Sequence, residues 1–422
     1  MPAPAFHRVK TVENVTKLSF KGVVMALQQF RFHRALARYA VAAAAGMACA
    51  CAAQAADLRG VINPGDQGEQ SRYAVFSAWK SALESALRKD KLSANLVLST
   101  DATADLGATR SRIPDLIVAP AHIIGSALRY GYQPVLGLDK PVRAVLVAPK
   151  DSPITNLAQA QGKKLGLPAQ DSVVTYLVRG EVNAANTTLK RHFSAVYDTR
   201  YQDALLPCLQ LRRCDLVAVE RSVFDRWVAA GEPVKVVLES KPVPSLSVAL
   251  KDGSKPGVEA LRAALNDTLA TVASAEGAKL ALLAKADFDY VATLGYFTPR
   301  SLAGANVVDA AAVARLAAAG AHLIDTRNAE EFKAGHLPGA KLVPYVEHSA
   351  KDADFDASKD QFDLGKLPAD KTAVLVFNCN GAECWKSYKA SVAALKAGYT
   401  QVNWFRGGFP EWRAAGQKVA TQ

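Results

Sequence analysis

Ala373-Val374-Leu375-Val376-Phe377-Asn378-Cys379 is an apolar run ending on a cysteine, and Asn380-Gly381-Ala382-Glu383-Cys384-Trp385 follows it as a loop. The loop leads into a helix from Lys386 to Lys396. A buried strand, a loop and a helix in this order form a unit of an α/β fold. In open α/β sheets, ligands bind beyond the carboxyl ends of the strands, and Cys379 occupies such an end. A cysteine there meets backbone N–H groups and the positive end of the following helix. Both favour the thiolate, and Lys386 and Lys389 add positive charge. Such a site can take a sulfane sulfur from an anionic donor, hold it as a persulfide and pass it to a nucleophile.

The flanking sequence supplies neighbouring pieces. Ala321-His322-Leu323-Ile324-Asp325-Thr326-Arg327 reads as a strand ending in a charged pair, and Gly335-His336-Leu337-Pro338-Gly339-Ala340 reads as a turn. A last strand from Gln401 to Phe405 precedes Arg406-Gly407-Gly408-Phe409-Pro410-Glu411-Trp412. In this order and spacing, these pieces resemble the rhodanese (thiosulfate sulfurtransferase-like) family over about residues 306 to 418. The resemblance implies that Cys379 is the sulfur-accepting nucleophile. Amides of the loop Asn380, Gly381, Ala382, Glu383 and Trp385, together with Lys386, would cradle the transferred group. Asp325 and Arg327 would organise the site from the adjacent strand end. His336 reads as a structural histidine in the turn.

The loop departs from the usual pattern, which places four residues between the cysteine and a basic residue preceding Ser or Thr. Here six residues separate Cys379 from Lys386, and Cys384-Trp385 lies among them. The arrangement resembles a sub-group of exported rhodanese-like proteins with Cys-Trp ahead of the helix. A wider loop admits donors other than thiosulfate. Cys384 can be read as a resolving thiol that bridges to Cys379, as the nucleophile itself, or as half of a structural disulfide in an inactive domain.

Upstream, short apolar runs alternate with helical stretches. Leu58 to Ile62, Asn95 to Leu98, Asp115 to Ala119, Val142 to Ala148, Leu165 to Leu167, Leu216 to Val219 and Val234 to Leu238 read as strands. Ser71 to Arg88 reads as a helix with Phe76, Leu83 and Leu87 on one stripe. Another helix starts near Val173, and residues 255 to 285 read as two closing helices. The alternation predicts parallel sheets with helical crossovers. The order of segments from Val142 to Trp227 resembles the type II periplasmic solute-binding proteins, nearest the phosphonate- and oxyanion-binding group. That resemblance implies two lobes closing over a small ligand held by loop amides, hydroxyls and helix N-termini. Candidate contacts are Asn63, Asp66, His122, Ser172, Thr175, Tyr176, Thr199 and Tyr201. Cys208 and Cys214 are candidates for a disulfide if a helix ends between them; two buried thiols are the alternative.

Bulk composition bounds the remaining questions. The chain has 422 residues, half of them hydrophobic, and a formal charge of +12. Residues 1–55 hold seven Lys or Arg and one Glu, which leaves 44 basic and 38 acidic residues in the rest, a net +6. A mild excess spread over so long a chain is no nucleic-acid signature. It suits an anionic small ligand. A basic flank at Phe30–Arg38, an Ala-rich apolar run from Tyr39 to Ala53 and Ala53-Gln54-Ala55 read as an export signal cleaved near Ala55, with Met25 as an alternative start.

The expected fold is therefore α/β. Residues 1–55 are a signal segment, 56–286 a two-lobed solute-binding domain, 287–305 a linker and 306–422 a rhodanese-like domain with a central parallel sheet. The expected function is an exported sulfurtransferase-like protein fused to a domain that captures a small anionic or sulfur-containing molecule. A non-catalytic receptor and a thiol-disulfide protein using Cys379 and Cys384 are the alternatives. A thiol acceptor and an inner-membrane transporter are the expected partners. Neither metal nor cofactor is assigned.

Overall fold

The computed structural model describes residues 58–89, 91–99 and 101–422, so the export signal expected in residues 1–55 lies outside the described residues. The chain first builds β1 (Leu58–Ile62), α1 (Glu69–Lys89), β2 (Ala94–Leu98), α2 (Ala102–Arg110), β3 (Leu116–Ala119), α3 (Ala121–Ala127) and β4 (Tyr132–Leu138). It then crosses to a second lobe. There it forms β5 (Ala144–Pro149), β6 (Lys164–Pro168), α4 (Val173–Ala184), α5 (Leu189–His192), β7 (Ala195–Thr199), α6 (Leu205–Gln210), β8 (Leu216–Glu220), α7 (Arg221–Ala229) and β9 (Val234–Glu239). The chain returns to the first lobe with β10 (Ser247–Lys251), α8 (Val258–Ala275), β11 (Leu280–Ala281) and α9 (Asp289–Thr293). The two crossings pair with each other, Val142 N–H to Val243 O at 2.8 Å and the reverse at 2.9 Å. This two-bonded bridge is the hinge between the lobes.

The strand order is β11-β4-β10-β3-β1-β2 in the first lobe and β7-β6-β8-β5-β9 in the second. The sheets are mixed, not purely parallel as the alternation predicts. β10 runs antiparallel to β3 and β4, and β5 runs antiparallel to β8 and β9. Each reversed strand, β5 or β10, is the first one the chain makes after crossing lobes, so it is not preceded by a helical crossover that would impose parallel entry. The second expected closing helix is absent. After Glu276 the chain turns at Gly277, with φ +62°, and Leu280–Ala281 joins the sheet edge beside β4. β7 escaped the sequence reading because it is an edge strand with its middle residues exposed, lacking any apolar alternation.

Hydrophobic burial explains the first lobe's helical layer. In α1, Trp79, Ala82, Leu83, Ala86 and Leu87 recur at helical spacing and are buried against Leu261, Leu265 and Leu269 of α8. Phe76, expected on this stripe, packs only at its margin, and Trp79 holds the centre. In the second lobe, Cys208 in α6 and Cys214 ahead of β8 are joined by a disulfide with Cα atoms 5.2 Å apart. The helix ends at Gln210, which brings the chain back within reach.

The C-terminal part contains β12 (Ala305–Val307), α10 (Ala310–Ala318), β13 (His322–Asp325), α11 (Ala329–Ala334), β14 (Lys341–Leu342), β15 (Tyr345–Val346), β16 (Gln361–Phe362), β17 (Leu375–Asn378), α12 (Trp385–Lys396), β18 (Val402–Phe405) and α13 (Gly408–Ala414). Its sheet, β12-β18-β17-β13-β14, is parallel throughout, with separate apolar clusters on its two sides. A further cluster of Tyr176, Tyr296, Trp385, Tyr388 and Trp404 joins the second lobe to this part. The described residues belong to one compact unit, and among them no helix is long and apolar enough to cross a membrane. Replacing Cys208 and Cys214 together by Ala should lower unfolding stability by about 2 kcal/mol, the chain entropy of so short a closed loop. A urea titration of wild type and variant measures it.

Candidate functional site

The cysteine loop is built on β17, all four of whose residues are buried. Cys379 follows the strand end and is bonded to Cys384, which caps the start of α12; their Cα atoms are 6.2 Å apart. Two glycines permit this geometry. Gly381 has φ +88°, a conformation that favours glycine. Gly408 has φ +55°, and a Cβ there would lie 2.2 Å from the carbonyl oxygen of Cys379. That approach lets Phe409 N–H donate to the same oxygen at 2.8 Å.

Beneath the loop, Arg327 and Asp325 form a fully buried forked pair, with Nη2 to Oδ2 at 2.7 Å and Nε to Oδ1 at 3.0 Å. Arg327 also donates to Gly335 O, lies over the Phe409 ring, and reaches Asn380 Oδ1 at 3.5 Å. The pair therefore fixes the loop from the neighbouring strand end. His336 bonds Phe332 O through Nδ1 at 2.8 Å and stacks on the Phe332 ring. Lys386 is half-buried in the first turn of α12. Lys389 serves another purpose than the one its sequence position implies. Its ammonium is buried on Glu347, Asp360 and Ser349, and so holds the segment between β15 and β16.

The loop does not face solvent. Cys379 is only 1% exposed, and the first lobe packs on the residues that follow it. The Glu383 carboxylate lies 3.5 Å from Arg110 Nη2 and 3.8 Å from Arg129 Nη1, and accepts from Ser126 Oγ at 3.3 Å. Burial is the largest influence on Arg110 and opposes its charge, but Glu383, together with Tyr130, Tyr176 and Asp171, outweighs it and holds the guanidinium pKa up. Ser111 Oγ donates to Asn380 Oδ1 at 2.8 Å, and Asn380 Nδ2 donates to Glu331 and Gly107 O. Ala382 O accepts from both the amide and the hydroxyl of Thr298, and Trp385 Nε1 donates to Tyr296 O. Thus every residue between Cys379 and Cys384 except Gly381 makes a hydrogen bond or ion pair outside the loop, and Gly381 lies against the Tyr130 hydroxyl.

The second candidate site is the cleft between the lobes. Its walls are loops following the carboxyl ends of parallel strands: Asn63–Asp66 after β1, Asp101–Thr103 after β2, Pro120–His122 after β3, Ala169–Val173 after β6 and Arg200–Tyr201 after β7. This is where α/β sheets bind ligands. Asn63, Asp66, His122, Ser172 and Tyr201 line it. Thr175, Tyr176 and Thr199 do not. Their hydroxyls are used internally, on Pro168 O, Asp171 Oδ1 and Tyr201 O respectively. Arg200, inside the Thr199–Tyr201 stretch the sequence points to, also lines it, as do Arg72, Asp101, Thr103 and Asp171, which are not among the sequence candidates. Only Asp101 carried a local signal, as an N-cap residue before a helix.

Ser172 caps α4 by accepting from Val174 N–H, so the positive end of that helix faces the cleft. Burial lowers the His122 pKa to about 4, which makes the ring neutral at ordinary pH. Its Nε2 lies 2.7 Å from Asp171 O and therefore carries the proton. Burial raises the Asp66 pKa, against hydrogen bonds from Ser172 and Gln202. Across the seam, Gln202 N–H donates to Asp66 O, and the Gln67 and Gln202 amides donate to Glu220. The first loop of one lobe is thereby bonded to the other.

Burial, with the neighbouring Asp66, raises the Glu220 pKa from 4.5 to about 7. The folded state thus holds a proton that the unfolded chain releases. The stability from neutral Glu220 is complete below the unfolded value and is lost as pH rises through about 7. Glu220→Gln should flatten that decline in urea midpoints measured from about pH 5 to about pH 8. Glu383→Ala should lower stability by about 3 kcal/mol by leaving Arg110 buried without its counter-charge. The same variant should speed reduction of the Cys379–Cys384 disulfide by a small phosphine, followed by mass spectrometry.

Comparison with known proteins bears on both sites. The model of the ABC transporter phosphonate periplasmic substrate-binding protein family matches residues 66–293, more than half of the chain. The model of the rhodanese-like domain matches residues 309–415. Among solved structures, PhnD1 from Prochlorococcus marinus in complex with methylphosphonate is 12% identical. It has a TM-score of 0.48 and covers 56% of this chain and 96% of its own. A binding protein component of an ABC phosphonate transporter from Pseudomonas aeruginosa is 13% identical, with a TM-score of 0.46, covering 56% and 85%. A curated relative, an HTH-type transcriptional regulator of Mycobacterium tuberculosis, is 33% identical over 97 residues. That match spans 23% of this chain and 36% of the regulator, so the chain spans about a third of the relative's length.

Proposed function

The chain belongs to the phosphonate periplasmic substrate-binding protein family of ABC transporters, and from that premise we propose that it is an exported receptor for a small oxyanion with a docked, redox-controlled rhodanese-like module. The observation that carries this reading is that the Cys379–Cys384 disulfide is buried, in a loop whose Glu383 is paired with Arg110 of the first lobe. A sulfurtransferase in turnover needs its thiolate open to a donor and an acceptor. In this state Cys379 is neither free nor accessible. The ligand would lie in the cleft, among the loop amides, the Ser172 cap and the helix end behind it. Delivery to an inner-membrane transporter follows the habit of the family.

Sulfur transfer is a second reading, favoured by the place of Cys379 at the end of β17 and by the Asp325–Arg327 pair that steadies its loop. It needs a reductant first. A dithiol would exchange with the disulfide, leaving Cys379 and Cys384 as thiols and itself oxidised. The Cys379 thiolate would then attack the outer sulfur of thiosulfate. The S–S bond of the donor breaks, sulfite leaves with the electron pair, and Cys379 keeps one sulfur as a persulfide. A thiol acceptor would remove it.

Intact-mass analysis separates the two readings. As purified, the protein should be two hydrogens short of the mass with Cys379 and Cys384 reduced and should gain nothing from thiosulfate. After reduction and removal of the reductant, gain of one sulfur that is lost in Cys379→Ser and kept in Cys384→Ser would establish transfer. No gain even then would leave the docked receptor alone. A gain by the oxidised protein without reductant would contradict the proposed control.

A further inference from the structure

The segment between β15 and β16 belongs to the C-terminal part, yet it reaches Asp171 in the wall of the cleft. Lys389 anchors it from below, 2.6 Å from Glu347 Oε1 and 2.8 Å from Ser349 Oγ. Asp360 secures its other end by accepting from the amides of His348 and Ser349 and from the Tyr345 hydroxyl. So held, the segment extends Lys351 onto the second lobe. The Lys351 amide donates to Gln170 Oε1, and its ammonium is paired with Asp171 Oδ2. Both side chains are buried, at 9% and 4% exposure.

Asp171 is a wall of the cleft. It immediately precedes the cap of α4 and also accepts from Thr103 Oγ1, across the cleft, at 2.6 Å. Burial alone would raise its pKa, but the Lys351 charge, with hydrogen bonds from Lys351 and Thr103, brings it below the usual value. Asp171 is therefore an ionised carboxylate at the place where the positive end of α4 would meet an anion. His122, which touches the same residue through its backbone, is neutral and cannot offset the charge. Unpaired, such a carboxylate would repel an oxyanion and attract an ammonium group.

We propose that Lys351 sets the charge preference of the cleft: by neutralising Asp171 from the C-terminal domain, it makes the cleft a receptor for small oxyanions instead of ammonium-bearing solutes. This rests on the reading of the cleft as an oxyanion site. It gives the rhodanese-like domain a role in solute recognition that needs no chemistry at Cys379. It also makes Lys351 a specificity-determining residue acting through Asp171, 180 positions earlier in the chain.

The test is calorimetric titration of the full chain with inorganic phosphate, sulfate, thiosulfate and methylphosphonate. Wild type, Lys351→Met, Asp171→Asn and the double variant are compared. Wild type should bind at least one probe. Lys351→Met should weaken that binding by about tenfold or more, because it removes the ammonium that balances Asp171 while Thr103 still donates to the carboxylate and favours its ionised form. Adding Asp171→Asn should restore it to within about threefold, a rescue that lost packing alone would not give. The inference is overturned if Lys351→Met binds as tightly as wild type, or if the double variant is no better than Lys351→Met. If wild type binds none of the four probes, the oxyanion reading falls and the inference with it.

Discussion

The ion pair between Glu383 and Arg110 governs how the halves of this protein meet. Both side chains are almost wholly buried, and removing such charges from water is expensive unless each finds its partner and further hydrogen bonds. Arg110 ends the helix that begins at the cleft wall, and Glu383 precedes Cys384 in the cysteine loop. Once they pair, the loop, the disulfide and the first lobe share one boundary. Thr298, Ser111 and Tyr296 add hydrogen bonds to Ala382, Asn380 and Trp385. Residues of this long loop reach the first lobe, Asn380 on Ser111 and Glu383 on Arg110.

The same helix that follows the cysteines reaches the solute cleft by a second route. α12 carries Lys389, Lys389 fixes the segment between β15 and β16, and that segment brings Lys351 to Asp171. The C-terminal part is thus bonded to the first lobe through Glu383 and to the second through Lys351, with Lys190 and Asp354 adding a solvent-exposed pair. A hinge of two paired crossings separates those lobes. Any opening of the cleft must therefore shift or break one of the two attachments. The cysteine loop and the cleft wall are thus both attached to α12, the loop by chain continuity and the wall through Lys389 and Lys351.

Much of this was legible in the sequence because it is local. The cysteine at the end of an apolar strand, the Gly407-Gly408 close and the Asp325–Arg327 strand end all reflect backbone constraints of an α/β unit. The cleft loops were partly readable for the same reason, since Asn63, Asp66, His122 and Ser172 follow apolar strands. The reversed strands β5 and β10 were not, because their direction depends on a chain crossing between lobes. Thr175, Tyr176 and Thr199 were read as ligand contacts, yet their hydroxyls serve the protein's own backbone and Asp171. Lys351 gave no signal at all: it lies in a polar segment, and its partner is remote in sequence. Glu383 was read as a loop residue beside a reactive cysteine, whereas its carboxylate anchors a domain contact.

Hydrogen exchange followed by mass spectrometry, on the full chain before and after reduction of Cys379–Cys384, tests the shared boundary most directly. The disulfide holds Glu383 in place on Arg110, so its reduction should speed exchange in residues 379–385, in residues 107–112 that face them, and in residues 347–354 beyond α12. Faster exchange confined to residues 379–385, with both docking faces unchanged, would contradict the account.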